Sequence, residues 1–349
     1  MAKLNAVGQE RQFWGVIPTL PATDLQELAQ QMEVVGFEGA QALQIYGPPF
    51  ASLAVAAAAT NKLKVGTGVI VAGTRSPFET AMMAMDIDRI SSGRFVLGLG
   101  TGVNSVNTGL YGVPHYKLVA NLRDTVAAIR HIVAGSHKGL QPYEGSFYKA
   151  DFKEMMVLAP PVRERIPIWI AALRDKLLET ALEISDGVML HALWSPNYTA
   201  SRGDEVNATL SKYGRQRSDI TINSWPWVAV NSDLKQAIDD SRPTVAAYAS
   251  IEVYEPFFEA CGFLKEARLC QEGAKSEADS SKFAHHVPDE MVTTFVACGD
   301  VDAVLEGLEP YWEVADNLTL MSPYRHLSME KMHFYGQGLF QLVHGAKRA

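Results

Sequence analysis

Apolar runs of strand length alternate with amphipathic runs of helix length along most of the chain. FWGVIPTL (13–20) has the density of a buried strand, and ATDLQELAQQMEVVG follows with helical spacing of its apolar positions. Asp24 or Thr23 can cap that helix and Gly36 can end it. FEGAQALQI (37–45) is the next predicted strand, followed by the alanine-rich helix FASLAVAAAAT (50–60). LKVGTGVIV (63–71) then precedes SPFETAMMAMDIDRIS (76–91), a helix with Ser76 as cap and Pro77 in its first turn. RFVLGLGT (94–101), PIWIAAL (167–173), DGVMLHALW (186–194), ITINSWPWVAV (220–230) and NLTLMSP (317–323) complete eight strand-like runs. Helices are predicted over 175–185, near 196–213 and near 233–249, within 299–315 and at the C-terminal end.

Eight β/α units in one chain predict a closed parallel (β/α)8 TIM barrel, with a doubly wound sheet as the alternative. No stretch rich in Pro, Ser or charge divides the sequence, so residues 1–349 read as a single domain. Two segments break the rhythm. Residues 136–166 read as an insertion with a hairpin, and residues 250–292 as a mostly helical excursion. Insertions after barrel strands commonly build the mouth of the active site.

Composition narrows the picture further. Hydrophobic residues make up 47% and charged residues 20%, and the formal net charge of −8 is spread along the chain. A nucleic-acid partner would call for a clustered basic face, and none is present. No window approaches the ~18 uninterrupted apolar residues of a membrane span. The first residues lack the apolar core of a signal peptide. Cys261, Cys270 and Cys298 are too widely spaced for a C-x-x-C pair or a disulfide framework. The expectation is a cytoplasmic protein with reduced cysteines, acting on a small molecule, with no nucleic acid, membrane or metal.

The stretch RISSGRFVLGLGTG (89–102) raises the question of a phosphate loop. A dinucleotide fingerprint needs G-x-G-x-x-G, and here Val103 stands three positions after Gly100 and Ser105 three after Gly102. No Gly-Lys-Ser/Thr follows, which excludes a P-loop as well. The glycines therefore read either as a tight strand exit or as backbone that a flat ligand can approach closely. GTGVIVAGTRSP (66–77) ends the preceding strand in the same way, and two such exits would make a smooth floor for a ring system.

The segments GTGVIVAGTRSPFETAMMAMDIDRISSGRFVLGLGTG (66–102), IPIWIAALRDKLLETALEISDGV (166–188) and, more loosely, GDVDAVLEGLEPYWEVADNLTL (299–320) resemble the bacterial-luciferase-like flavin and deazaflavin oxidoreductases. Within that family the chain looks closest to the F420-dependent oxidoreductases, with YGPPFASLAVAAAAT and TRSPFETA supporting the placement. The resemblance implies a TIM barrel that binds coenzyme F420, or alternatively FMN. It implies a non-proline cis peptide at Gly68–Val69 against the central ring of the cofactor. It places Val71 at the ring edge, and Thr101 and Gly102 beside the cofactor. The cofactor phosphate falls at Ala172, Leu173, Arg174, Asp175 and Lys176, where a helix N-terminus favours an anion. Arg174 and Lys176 would add charge there, whereas Asp175 opposes it unless it only caps the helix.

There are also departures. The family's sugar-phosphate dehydrogenases carry a His and a Trp after strand two and a Glu after strand four. Here Gln41, Gln44 and Tyr46 occupy the first region and Val103 the second. Glutamine exchanges no proton near neutral pH, so that mechanism does not transfer. Gln44 and Tyr46 are expected to hydrogen-bond cofactor or substrate. His191, at the end of strand six, is the first candidate for proton handling, with an ordinary pKa near 6.5. Tyr111 and His115 come next. Trp194 and Trp227 are expected to shape an apolar pocket, and His285 and His286 to be loop residues.

Three functions remain open at this stage. One is hydride transfer between F420 and a small organic substrate, an alcohol/ketone pair or an activated double bond. The second is monooxygenation with reduced FMN and O2, fed by a separate flavin reductase. The third is a barrel that binds without turnover. The resemblance also implies a homodimer.

Overall fold

All eight predicted strands form. The computed structural model describes residue 5, residues 7–45 and residues 47–347. The strands are β1 (Gln12–Ile17), β2 (Gly39–Ala42), β3 (Lys64–Thr67 and Ile70–Val71), β4 (Phe95–Gly100), β5 (Ile168–Ala172), β6 (Gly187–Leu190), β7 (Thr221–Ser224) and β8 (Asn317–Thr319). Their order around the sheet is β3-β2-β1-β8-β7-β6-β5-β4, and β4 pairs again with β3. The sheet therefore closes on itself, and with helices between the strands it is the (β/α)8 barrel expected from the sequence. Parallel register is regular where the strands meet, for example Trp14↔Gly39 and Ala42↔Thr67.

The helices are α1 (Ala22–Val35), α2 (Phe50–Ala59), α3 (Pro77–Ile90), α4 (Asn104–Tyr111), α5 (Leu118–Gly135), α6 (Asp175–Ile184), α7 (Pro196–Ser201), α8 (Gly203–Lys212), α9 (Leu234–Ala249), α10 (Glu255–Ala260), α11 (Leu264–Ala274), α12 (Asp289–Phe295), α13 (Val301–Gly307) and α14 (Met329–Ala346). Ser76 caps α3 as expected, its hydroxyl accepting from Glu79 N, with Pro77 beside it. Gly36 ends α1 with φ 100°. Neither Thr23 nor Asp24 caps that helix. Pro21 holds the N-cap position, so the helix starts at Ala22 and both candidates lie inside it.

By its contacts the chain divides into two compact units. The first comprises Trp14–Met189 and Ala208–Thr221, and the second Met1–Phe13, Leu190–Asn207 and Ile222–Ala349. In the first unit, Trp14 and Trp169 are buried with ring centroids 5.2 Å apart. Each indole occupies the space beside a glycine on the neighbouring strand. A Cβ on Gly39 would stand 2.6 Å from the Trp14 ring, and one on Gly187 would stand 2.3 Å from Trp169. The insertion at 136–166 carries the expected hairpin, Tyr143–Glu144 against Lys149–Ala150.

In the second unit the excursion at 250–292 is helical, as expected, and contains α10 and α11. The run predicted as one strand over 220–230 is two. Pro226 lacks an N–H for a ladder, and past it Trp227–Val230 pairs with Val296–Gly299 in a separate parallel pair. Among the described residues no helix is long and apolar enough to cross a membrane.

Candidate active site

The carboxyl ends of barrel strands are where such folds carry chemistry. In the first unit, β2 leads into Gln41 and then Gln44. Gln41 is fully buried, and its Nε2 donates to Met189 Sδ at 3.5 Å. Gln44 is held by its own segment: its backbone N–H donates to Val69 O at 3.2 Å. Its side-chain Oε1 accepts from Val71 N at 3.1 Å and from Arg75 Nη1 at 3.2 Å. With Oε1 engaged twice, the amide orientation is fixed. Nε2 is left buried with no partner among the described residues. The Gly68–Val69 bond is cis, as the resemblance implied. Tyr46, the remaining candidate in this segment, lies outside the described residues.

The glycines of β4 have a use within the chain itself. A Cβ on Gly98 would lie 1.8 Å from Thr67 O, and Thr67 Oγ1 exchanges hydrogen bonds of 2.7 Å with Gly98 N and O. A Cβ on Gly100 would lie 2.7 Å from Val69 Cγ2. The space over these two residues is thus filled by Thr67 and Val69, and the floor expected there is covered by the chain's own atoms. Gly102 has φ +59°, and a Cβ there would meet Asn107 Oδ1 at 2.4 Å and Val71 Cγ1 at 3.0 Å. Thr101 is half-buried, and its carbonyl accepts from Asn107 Nδ2 at 3.0 Å. Asn107 also reaches Tyr116 OH at 3.3 Å, and burial pushes the Tyr116 hydroxyl pKa up. His115 Nε2 accepts from Asn104 Nδ2 at 2.9 Å, while Tyr111 OH donates to Ile45 O at 3.4 Å. Val103 is exposed.

At the exit of β5, Ala172 is buried and Leu173 half-buried, and Arg174, Asp175 and Lys176 are exposed. Arg174 is the N-cap of α6, without a side-chain cap, and Asp175 is the first helical residue. Asp175 therefore does not cap the helix, and its charge stays in the first turn. Within the first turn of α6, Leu177 N and Leu178 N both donate to Arg174 O at 2.9 Å. Arg174 and Lys176 make no ion pair among the described residues.

In the second unit, His191 follows β6 directly. Its Nδ1 accepts from Leu193 N at 3.2 Å, which puts the ring proton on Nε2. The imidazole centroid lies 4.9 Å from Tyr254, 5.9 Å from Tyr248 and 6.2 Å from Phe257. Two of these rings come from the helical excursion. Burial lowers the His191 pKa to about 4, away from the ordinary value expected from the sequence. Trp194 and Trp227 are fully buried against Tyr198 and Tyr248 respectively, and neither lines the cavity of this unit. His285 and His286 sit in a short 3-10 turn of the excursion. Among the described residues no three His, Cys, Asp or Glu converge on a metal-sized site. A cavity of about 630 Å³ in this unit is lined by Ser195, Tyr198, Cys261, Thr293 and Glu306 among others, and includes none of the predicted site residues.

Arg75, Asn107 and Tyr116 were missed by the sequence reading. Arg75 left one signal, a lone basic residue in the glycine-rich exit of β3.

The family model described as luciferase-like monooxygenase matches residues 7–317. The chain belongs to this luciferase-like family. A family relative from Mycobacterium tuberculosis, assigned by name to the coenzyme F420-dependent oxidoreductases, is 27% identical over 336 residues, covering 90% of this chain and 93% of its own. A 5,10-methylenetetrahydromethanopterin reductase from Archaeoglobus fulgidus is 29% identical over 261 residues, 74% of this chain and 76% of that protein. Among solved structures, the coenzyme F420-dependent tetrahydromethanopterin reductase from Methanopyrus kandleri superposes with a TM-score of 0.80. It is 23% identical and covers 95% of this chain and 98% of its own, a likeness of fold.

Proposed function

We propose that this luciferase-like protein is an F420-dependent oxidoreductase that exchanges hydride with a small organic substrate. The observation that carries the reading is Gln44 Nε2, a buried donor without an acceptor, fixed beside the Val69–Val71 backbone. A buried unpaired donor costs about 1–3 kcal/mol, and a heteroaromatic ring edge with carbonyl oxygens satisfies it. Thr101 and Gly102 follow the end of β4, and a Cβ on Gly102 would lie 3.0 Å from Val71 Cγ1. The N-terminal end of α6, where the helix dipole is positive, together with the exposed Arg174 and Lys176, fits a phosphate. Asp175 weakens that seat without closing it. The family relative named for F420 supports the choice of cofactor.

When bound, F420 supplies a carbon that gives or takes a hydride. The protein's part is binding, orientation and hydrogen bonding. His191, in the second unit, carries its ring proton on Nε2, and its pKa of about 4 leaves the ring uncharged at neutral pH. Paired titrations with F420 and with FMN, followed by tryptophan quenching, test the reading. Tight F420 binding with weaker FMN binding is expected, and binding of neither overturns it.

The family description favours a second reading, oxygen-dependent monooxygenation with reduced FMN. It requires the reverse cofactor preference. It also requires an oxygenated product from an aldehyde or ketone panel supplied with reduced FMN and O2.

A further inference from the structure

Arg75 stands between the end of β3 and the Ser76 cap of α3 and is half-buried. Its Nη1 donates to Gln44 Oε1 at 3.2 Å. Among the described residues it makes no other side-chain hydrogen bond and no ion pair. Glu79 and Tyr111 are the titratable groups whose charge reaches it, and neither is bonded to it. Burial is the main influence on the guanidinium and disfavours its charge, while those two groups act the other way. Arginine stays charged in proteins nonetheless, and it presents five N–H donors and no acceptor. A half-buried guanidinium without a carboxylate is an arrangement that an anion would complete.

Gln44 adds to the same demand. Val71 N and Arg75 Nη1 both donate to its Oε1, so its unpartnered Nε2 presents donors only. Between them Gln44 and Arg75 offer N–H groups, one positive charge and no free acceptor, with Glu79 and Tyr111 as the other groups whose charge reaches the guanidinium. A neutral ligand edge with mixed donors and acceptors fits this less well than an oxygen carrying negative charge.

We infer that Arg75 and Gln44 Nε2 together recognise an anionic oxygen on the edge of the bound cofactor ring. The inference rests on the deazaflavin reading for the identity of that ring. The deazaflavin of F420 carries an acidic ring hydroxyl, conjugated through to the pyrimidine carbonyl. Its ionisation spreads negative charge onto that carbonyl oxygen. The oxidised FMN ring, the form used in the titrations, lacks this hydroxyl and is neutral near pH 7. Arg75 thereby becomes a residue that selects one cofactor over the other. It binds and discriminates, and takes no part in bond making.

The test is binding of F420 and of FMN to the wild-type protein and to Arg75→Gln, Arg75→Lys and Gln44→Met, with melting temperatures recorded for each. Arg75→Gln is expected to weaken F420 by about tenfold or more, the scale of a hydrogen bond to a charged group. FMN should change by only about threefold or less, about 0.7 kcal/mol at most. Arg75→Lys should fall between wild type and Arg75→Gln, since it keeps the charge and loses the planar fork. Gln44→Met should weaken F420 by a smaller factor. Should Arg75→Gln fail to fold, the Arg75→Lys and Gln44→Met titrations carry the same comparison. The inference is overturned if folded variants bind F420 as tightly as wild type, or if they lose F420 and FMN by equal factors. Failure of the wild-type protein itself to bind F420 is a different result, and it overturns the proposed function together with this inference.

Discussion

Burial among three aromatic rings leaves His191 uncharged at neutral pH. The unfolded chain holds this residue at an ordinary pKa near 6.5, while the folded protein holds it at about 4 because burial penalises the charged ring. Between those values the unfolded state binds more protons, so stability falls as the pH is lowered through the window. The stabilisation is fully present above the unfolded pKa and is lost as the pH falls towards the folded one. At 1.36 kcal/mol per unit the lost stability is about 3 kcal/mol. His191→Phe keeps a flat ring in the cluster and removes the titration. Denaturant midpoints compared across pH about 4 to 6.5 should show wild type losing roughly 3 kcal/mol more than this variant. Equal losses would mean that the ring is not desolvated as the structure shows. Sequence position found this residue, but its protonation could not be read there, because Tyr254 and Phe257 are distant in sequence. The β4 glycines teach the same lesson. Their spacing was visible in the sequence, while the Val69 and Thr67 atoms that fill the space beside them were not.

Among the elements, the end of the barrel remote from the proposed cofactor site is tied by a carboxylate as well as by apolar contact. Asp186, just before β6, accepts from Ile168 N at the start of β5, from Arg130 Nη2 on α5 and from Arg165, at 2.5–3.2 Å. Burial pushes its pKa up, but the Ile168 N–H and the two guanidinium groups outweigh that and leave it lowered. Its stabilising charge is therefore present above the ordinary aspartate range and is lost as the pH falls through it. Asp186→Asn leaves the partly buried Arg130 and the exposed Arg165 without their carboxylate and is expected to cost about 1–3 kcal/mol. Because Asp186 lies at the amino end of β6, the variant should still titrate with cofactor at wild-type affinity wherever it is folded. A denaturant melt together with a cofactor titration checks both halves, and loss of affinity at unchanged stability would contradict the assignment. Elements with local signals were legible in advance. Ser76-Pro77 marked the start of α3, and Gly36 the end of α1. Thr23 and Asp24 misled because Pro21 already occupied the cap position. Pro226 is the signal that should have divided the run at 220–230.

For the molecule as a whole, alternation of strand-like and helix-like runs pointed to a closed parallel barrel over a doubly wound sheet, and the pairing of β4 with β3 decides for the barrel. The site was only partly legible, because it is assembled by strand pairing. Gln44, Val71 and Arg75 are separated by 27 and 31 positions from the first to each of the others, and only the pairing of β2 with β3 brings them together. Asn107 meets Thr101 through the turn into α4, which carried no apolar period to announce it. The same assembly makes ligand binding visible in global stability. A ligand that binds only the folded state at a hundred times its dissociation constant adds about 2.7 kcal/mol. With an unfolding entropy of about 2.1 cal/mol/K per residue, a chain of 349 residues has close to 0.7 kcal/mol/K, so the expected rise in melting temperature is about 4 °C. Thermal melts with F420 at that excess should show this rise, and FMN at the same concentration should give a smaller one. The comparison needs no substrate and no turnover, so it reads the cofactor site directly. An equal or larger rise with FMN would transfer the site to flavin chemistry. No rise with either, at concentrations spanning the micromolar to millimolar range, would remove the cofactor from the β2–β3 exit altogether.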